Sequence, residues 1–328
     1  MNIAVPKPSN GAFVAAEWWG GLSEPDRAAM AANHPEKVAH LNGLPATVRD
    51  VCNREHLRRL DSKPALDDLN KRVSAASPVD GTRYFLLDFD PAGDGQAVIA
   101  VGDPDVADNV SIYVPGTGAA IATIGFDYDR TNRMATDAAK VDGRRLTSIV
   151  LWLGYDAPDD LFTDSPRDDD AVAAVPRLSS FVTGLRLARP GDDRAHLTAL
   201  GHSYGTTVIG ITDRDKTCDV DEMVFVGSPG VGVPHASALS VGAEHVWATA
   251  APGDLIADAP DWLLGPPPSH RTFGARIFSC ADTGRFDPVF HDDPLRDPVK
   301  AHDGYWDKGN IARTNMAYIA TGQTHAVR

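Results

Sequence analysis

The chain has 328 residues, 43% of them hydrophobic, and a formal net charge of -14, so it has the length and apolar content for one large α/β domain with a smaller appendage. The acidic balance and the lack of clustered Lys and Arg exclude a nucleic-acid partner, and no stretch of 18 or more apolar residues is present to span a membrane. Cys52, Cys218 and Cys280 stand far apart with no CxxC, which argues for buried free thiols and against a disulfide framework or a zinc site.

The first residues, MNIAVPKPSNGAFVAAEWWGG, lack a basic region followed by an apolar one, so the expectation is a cytoplasmic protein, with signal-less export as the other route. Residues 17–76 read as short helices. One opens after Ser23, an N-cap with Asp26 three positions on. The next two follow from the spacing of Val51, Leu57 and Leu60, and of Leu66, Leu69 and Val73. These helices make residues 1–80 an N-terminal helical flank, with residues 81–328 as the second unit.

From Thr82 the pattern changes to short β-rich runs: Thr82–Asp90, Gln96–Gly102 and Asn109–Gly116, then a helical stretch and a fourth run, Leu146–Gly154. A helix over about Asp168–Arg189 precedes the strand His196–Ser203 and the helix Thr206–Arg214. Three further strands lie in Asp221–Gly230, Glu244–Asp254 and Ala275–Cys280, and a helix over Asn310–Gly322 closes the chain. Strands that first follow one another directly and then alternate with helices predict a mostly parallel eight-stranded sheet, antiparallel at its start, with helices on both faces. In such sheets ligand sites lie beyond the carboxyl ends of the strands.

That rule directs attention to Gly201-His202-Ser203-Tyr204-Gly205, a G-x-S-x-G run between a strand and a helix. A serine on this sharp turn has a strained backbone, and its flanking glycines keep side chains from colliding. The helix N-terminus behind it favours a developing oxyanion, with the Tyr204 N–H as one donor. His202 reads as a packing residue that supports the turn. The strand–Ser–helix context defines an α/β-hydrolase fold, whose remaining catalytic members follow in the order Ser, Asp or Glu, His.

Gly253-Asp254 ends a strand and supplies the acid, with Asp258 and Asp261 as rivals. His302, in the loop before the final helix, supplies the base, with His291 as its main competitor. Together these predict Ser203 as nucleophile, His302 as general base and Asp254 as the carboxylate that orients it. The Val114-Pro-Gly-Thr-Gly118 run after the third strand offers the Thr117 N–H as second oxyanion donor; without a following GK[ST] it is no phosphate loop. Tyr155, Asp156 and Tyr305 are candidate pocket residues. Asp168-Asp169-Asp170 reads as a helix N-terminus rather than a metal site.

WWGGLS, HLNGLPATVRDVCNR, VPGTG, WLGYDAP, GHSYG, APGDLI and HDGYW, taken together, resemble an actinobacterial α/β-hydrolase family of unknown function. The resemblance covers most of the chain and implies the same three residues, Ser203, Asp254 and His302. It also implies an upstream WXG-type helical module of the kind found in secretion substrates, after which this chain would begin. The activity expected is cofactor-free, metal-free hydrolysis of a small-molecule carboxylic ester through an acyl-enzyme. Amide, peptide or thioester hydrolysis and acyl transfer use the same groups, and a non-catalytic hydrolase-like scaffold is the reading from another class. The short span from Pro229 to Glu244 leaves no room for a large lid and predicts a rather open site. Oligomeric state is left open.

Overall fold

The computed structural model describes residues 4–159, 167–189, 191–257, 259–280 and 298–328. Its first helices are α1 (Ala12–Gly21), α2 (Glu24–Asn33), α3 (Pro35–Val38), α4 (Ala46–Arg59) and α5 (Pro64–Val73). Strands β1 (Tyr84–Asp90), β2 (Gln96–Val101) and β3 (Asn109–Val114) come next, then α6 (Gly125–Val141) and β4 (Thr147–Leu153). They are followed by α7 (Asp169–Ala188), β5 (His196–His202), α8 (Tyr204–Lys216), β6 (Glu222–Val226), β7 (Val246–Thr249) and β8 (Arg276–Ile277). The last helices are α9 (Pro298–Asp303) and α10 (Ile311–Ala320). No helix among the described residues is long and apolar enough to cross a membrane.

The eight strands form one sheet in the order β1-β2-β4-β3-β5-β6-β7-β8. β1 pairs with β2, and β2 with β4, antiparallel; every other pairing is parallel. The reason is visible in the strand sequences. β3, β4, β5 and β6 are nearly continuous apolar runs, as strands covered on both faces must be, and their side chains alternate between two cores. Val110, Ile112, Val114, Val150 and Trp152 pack with α7 and α8 residues such as Leu178, Phe181, Val208 and Ile211. Tyr113, Ile149 and Leu151 enter the opposite layer with Leu66 and Leu69 of α5, Met134 of α6 and Met316 of α10.

The helical flank is joined to this sheet. Leu57, Leu66, Leu69 and Val73 share a core with Tyr84 and Leu86 of β1, while Trp19, Met30, Val38 and Leu41 form a smaller one of their own. Ser23 caps α2 as expected, its hydroxyl accepting the Asp26 N–H at 3.3 Å. The sequence reading errs at Val51, which is 60% exposed. The buried side of α4 carries polar groups beside Ala46, Cys52 and Leu57: Asp50 accepts Arg54 and the Leu86 N–H, and Asn53 donates to the carbonyls of Ala39, Arg49 and Leu86. Apolar periodicity finds such a helix but not the part of its face that docks onto a strand through hydrogen bonds.

Helix α8 packs closely enough that a Cβ at Gly210 would run into the Val231 backbone carbonyl. We expect Gly210→Ala to lower the unfolding free energy by about 1–3 kcal/mol through overpacking, measured by urea denaturation at unchanged m-value. Wild-type stability would show that the helix can shift to make room.

Candidate functional site

Because β3, β5, β6 and β7 run parallel in adjacent positions, their carboxyl ends open on one edge, and Val114, Gly201 and Phe225 lie in register there. Ser203 follows β5 with φ 54° and ψ -132°. That conformation costs a non-glycine residue on the order of 1–3 kcal/mol and is held by its surroundings. The Ser203 N–H donates to the Val226 carbonyl at 3.0 Å. Its own carbonyl accepts from the Thr206 N–H and hydroxyl at 3.0 and 2.6 Å, and that hydroxyl also lies 2.7 Å from Ser228 Oγ.

Both glycines of the turn are sterically required. A Cβ on Gly201 would fall 2.6 Å from the Thr206 backbone, and one on Gly205 would strike the carbonyls of Val114 and Pro115. Gly116, just before Thr117, comes so near Ser203 that a Cβ there would lie 2.6 Å from the serine Cβ. Thr117 thus follows the residue that touches the serine, and Tyr204 opens α8, where the first amides have no acceptor within the helix.

Asp254 sits in a turn after β7, its N–H donating to the Ala251 carbonyl at 3.0 Å. It is fully enclosed, at 1% exposure. His302 Nδ1 lies 2.9 and 3.0 Å from the two Asp254 oxygens, so the Nδ1–H faces the carboxylate. Nε2, the other ring nitrogen, is buried and makes no hydrogen bond among the described residues. Burial raises the Asp254 carboxyl, but the hydrogen bond and charge of His302, with the Tyr305 hydroxyl and the Ala257 N–H, outweigh it and hold the group below its ordinary value. It therefore stays ionised through the neutral range.

The Ser203 and His302 segments meet at Gly227, the residue after β6. At φ +58°, a Cβ there would lie 2.8 Å from Asp254 Oδ2 and 3.1 Å from His302 Nδ1, while the carbonyl of the preceding Val226 takes the Ser203 N–H. Nothing in the sequence reading singled out Gly227; its signal is a glycine directly after a strand at the edge where the motif residues gather.

Several expectations need correction. Ser203 and His302 are only 3% and 5% exposed, so the rather open site is not found. Two clefts among the described residues, of about 300 and 400 Å³, are lined by Arg130, Lys300 and Trp306 and by Ile211, Arg214 and Leu264, and neither includes Ser203. His302 lies in the short helix α9, not in a loop. Tyr305 is not a pocket residue: fully buried, it donates to Asp254 Oδ2 at 2.6 Å and accepts the Ala251 N–H at 2.8 Å. Tyr155 is also buried, stacked on Trp152, with its hydroxyl on the Pro115 carbonyl at 2.7 Å, so it braces the Gly116-Thr117 loop. Asp156 is exposed.

Of the rivals, Asp261 is exposed beside the second cleft, and Asp258 and His291 lie outside the described residues. His235 and His245 bond to Ser237 and Glu222. All three cysteines are free and buried, and burial pushes the Cys52 thiol up to about 11.

With this geometry established, the chain belongs to an α/β-hydrolase family, whose model matches residues 90–263, more than half of the chain. It is 26% identical to the uncharacterized protein Rv2079 of Mycobacterium tuberculosis over 391 residues, covering 99% of this chain and 58% of that protein. It is also 33% identical over 194 residues to uncharacterized protein Rv0963c of the same organism, covering 56% of this chain and 70% of the relative. The chain thus spans little more than half the length of the first of these relatives. Among solved structures, it is similar to a dienelactone hydrolase from Anabaena variabilis, with TM-score 0.43, 14% identity and coverage of 75% of this chain and 99% of that one. It is similar too to a Pyrobaculum calidifontis esterase, with TM-score 0.40, 16% identity and coverage of 93% and 100%.

The placement of Tyr305 yields a test. Tyr305→Phe should destabilise the protein by about 1–3 kcal/mol, because a buried carboxylate oxygen loses one of its two donors and the Ala251 N–H loses its acceptor. Denaturant unfolding checks this. Unchanged stability with an altered KM would restore Tyr305 to the pocket.

Proposed function

We propose that this chain is a serine hydrolase that cleaves carboxylic esters of small-molecule acyl substrates, with Ser203 as nucleophile, His302 as general base and Asp254 as its orienting carboxylate. The observation that supports the reading most is the state of the His302 ring. One nitrogen is fixed by a buried carboxylate, and the other is buried without a partner among the described residues, beside a segment that carries a strained serine at a helix N-terminus.

In this reading Ser203 Oγ attacks the acyl carbonyl as its proton passes to His302 Nε2. The oxyanion of the tetrahedral intermediate is held by the N–H groups of Thr117 and Tyr204, each such donor contributing about 10²–10³ in kcat. Collapse breaks the bond to the leaving alcohol, which takes the proton from His302, and leaves the acyl group on Ser203. Water, deprotonated through the same nitrogen, then releases the acid and restores the serine. Asp254 stays ionised and stabilises the imidazolium. No cofactor enters any step. Ester cleavage is chosen over amide or thioester cleavage and acyl transfer on the analogy of what this fold and triad ordinarily do. The same reading puts a cytoplasmic enzyme among the GHSYG hydrolases that follow a WXG-type module.

Hydrolysis of p-nitrophenyl acyl esters tests the roles. Ser203→Ala and His302→Ala should each lower kcat by about 10³-fold or more, and Asp254→Asn by about 10²–10⁴-fold, with KM little changed. Turnover by Ser203→Ala at the wild-type rate would remove the serine from the mechanism, and wild-type protein inert toward esters but active on thioesters or amides would redirect the substrate class.

A further inference from the structure

One buried ionic cluster is not used by the chemistry described above, and it ends on His302. Arg130 of α6 is 4% exposed. Its Nη1 lies 3.2 Å from the Tyr113 hydroxyl, 3.4 Å from Asp127 Oδ1 and 3.2 Å from His202 Nδ1, and its Nη2 donates to Asp303 Oδ1 at 2.7 Å. The guanidinium is sandwiched between Phe126 and Trp306, 4.1 and 4.4 Å from the ring centres. His202 in turn has Nε2 at 2.9 Å from the backbone carbonyl of His302, and the two imidazoles lie against each other with centroids 4.6 Å apart.

We propose that His202 and Arg130 are positioning residues for His302, fixing its backbone and keeping the neighbouring imidazole neutral so that the general base can take up a proton. The inference rests on the reading of His302 as general base.

The partners leave one arrangement for His202. Arg130 can only donate, so Nδ1 accepts; the His302 carbonyl can only accept, so Nε2 carries the proton and donates. The tautomer is therefore set from both sides by groups that do not change charge in the reaction. His302 needs this anchor because α9 is six residues long, and so short a helix has no stability of its own.

Charge makes the second argument. The groups facing His202 are Arg130 and His302, with the rings of Tyr305 and Trp306 at 6.1 and 5.1 Å, and no carboxylate bonds to it among the described residues. Burial first, then the Arg130 and His302 charges, hold the His202 imidazole well below its ordinary value. A neutral ring stacked on His302 does not oppose the imidazolium formed when Ser203 gives up its proton, whereas a charged one would. Asp127 and Asp303 supply the negative charge that keeps Arg130 in place beneath the site.

The experiment compares wild type, His202→Gln, His202→Leu and Arg130→Met in p-nitrophenyl ester hydrolysis across pH, with active sites counted by fluorophosphonate titration. Per titrated site, His202→Leu should lose tenfold or more in kcat at unchanged KM. His202→Gln, whose side-chain amide N–H can take the place of Nε2–H, should recover most of that loss. Arg130→Met removes the cation that opposes protonation of His202, so the acid limb of kcat/KM should move to higher pH by half a unit or more. Equal kcat per titrated site in all four proteins, or equal losses in Gln and Leu with an unmoved acid limb, would overturn the inference and leave the triad standing. A wild type that neither labels nor turns over would instead remove the general-base reading, and this inference with it.

Discussion

Backbone has to make a close approach at three points for this site to exist, and at each of them a Cβ would not fit. Gly205 lets α8 start directly under the end of β3, Gly116 brings the next loop against Ser203, and Gly227 leaves room for the Asp254–His302 pair. The positive φ of Ser203 follows from the same crowding: a strand that ends in register with its neighbours must turn abruptly if the following helix is to pack beneath the sheet. The hydrogen bonds of its N–H to Val226 and of its carbonyl to Thr206 offset a conformation that would otherwise relax. The parallel order β3-β5-β6-β7 supplies the register, and the glycines convert it into contact.

Around that seam the protein buries charge rather than exposing it. Asp254 is enclosed with His302, Tyr305 and two backbone amides, and Arg130 with Asp127, Tyr113, His202 and Asp303. Groups of this kind are costly to bury alone and become tolerable when every one has a partner. His302 joins the two clusters, to the first through its ring and to the second through its backbone. In the mechanism proposed, the side chain that takes up the proton thus stands between one fixed negative group and one neutral, tautomer-locked neighbour.

Much of this was legible in the sequence, because strands covered on both faces leave long apolar runs and the serine turn leaves a glycine-spaced motif. All eight strands were found, as was the antiparallel start of the sheet. Ser203, Asp254 and His302 were selected by their place in chain order, and the structure gathers the segments that carry them. What failed did so for physical reasons. Val51 has the right spacing on a helix whose buried side is half polar. Tyr155 and Tyr305 stand beside the motifs, but aromatic residues there serve equally to brace a loop or a carboxylate, and only coordinates tell the roles apart. Arg130 and Gly227 gave no local signal, since each acts on residues distant in sequence. Burial of the serine could not be read from loop lengths at all.

The central claim is that Ser203, activated by His302, is a nucleophile. It is tested most directly by treating the native protein with a fluorophosphonate and locating the adduct by peptide mass spectrometry. The account predicts one phosphonyl group per chain, carried by Ser203 and absent after His302→Ala over the same interval. Modification at another residue, or none on native wild-type protein, would contradict it.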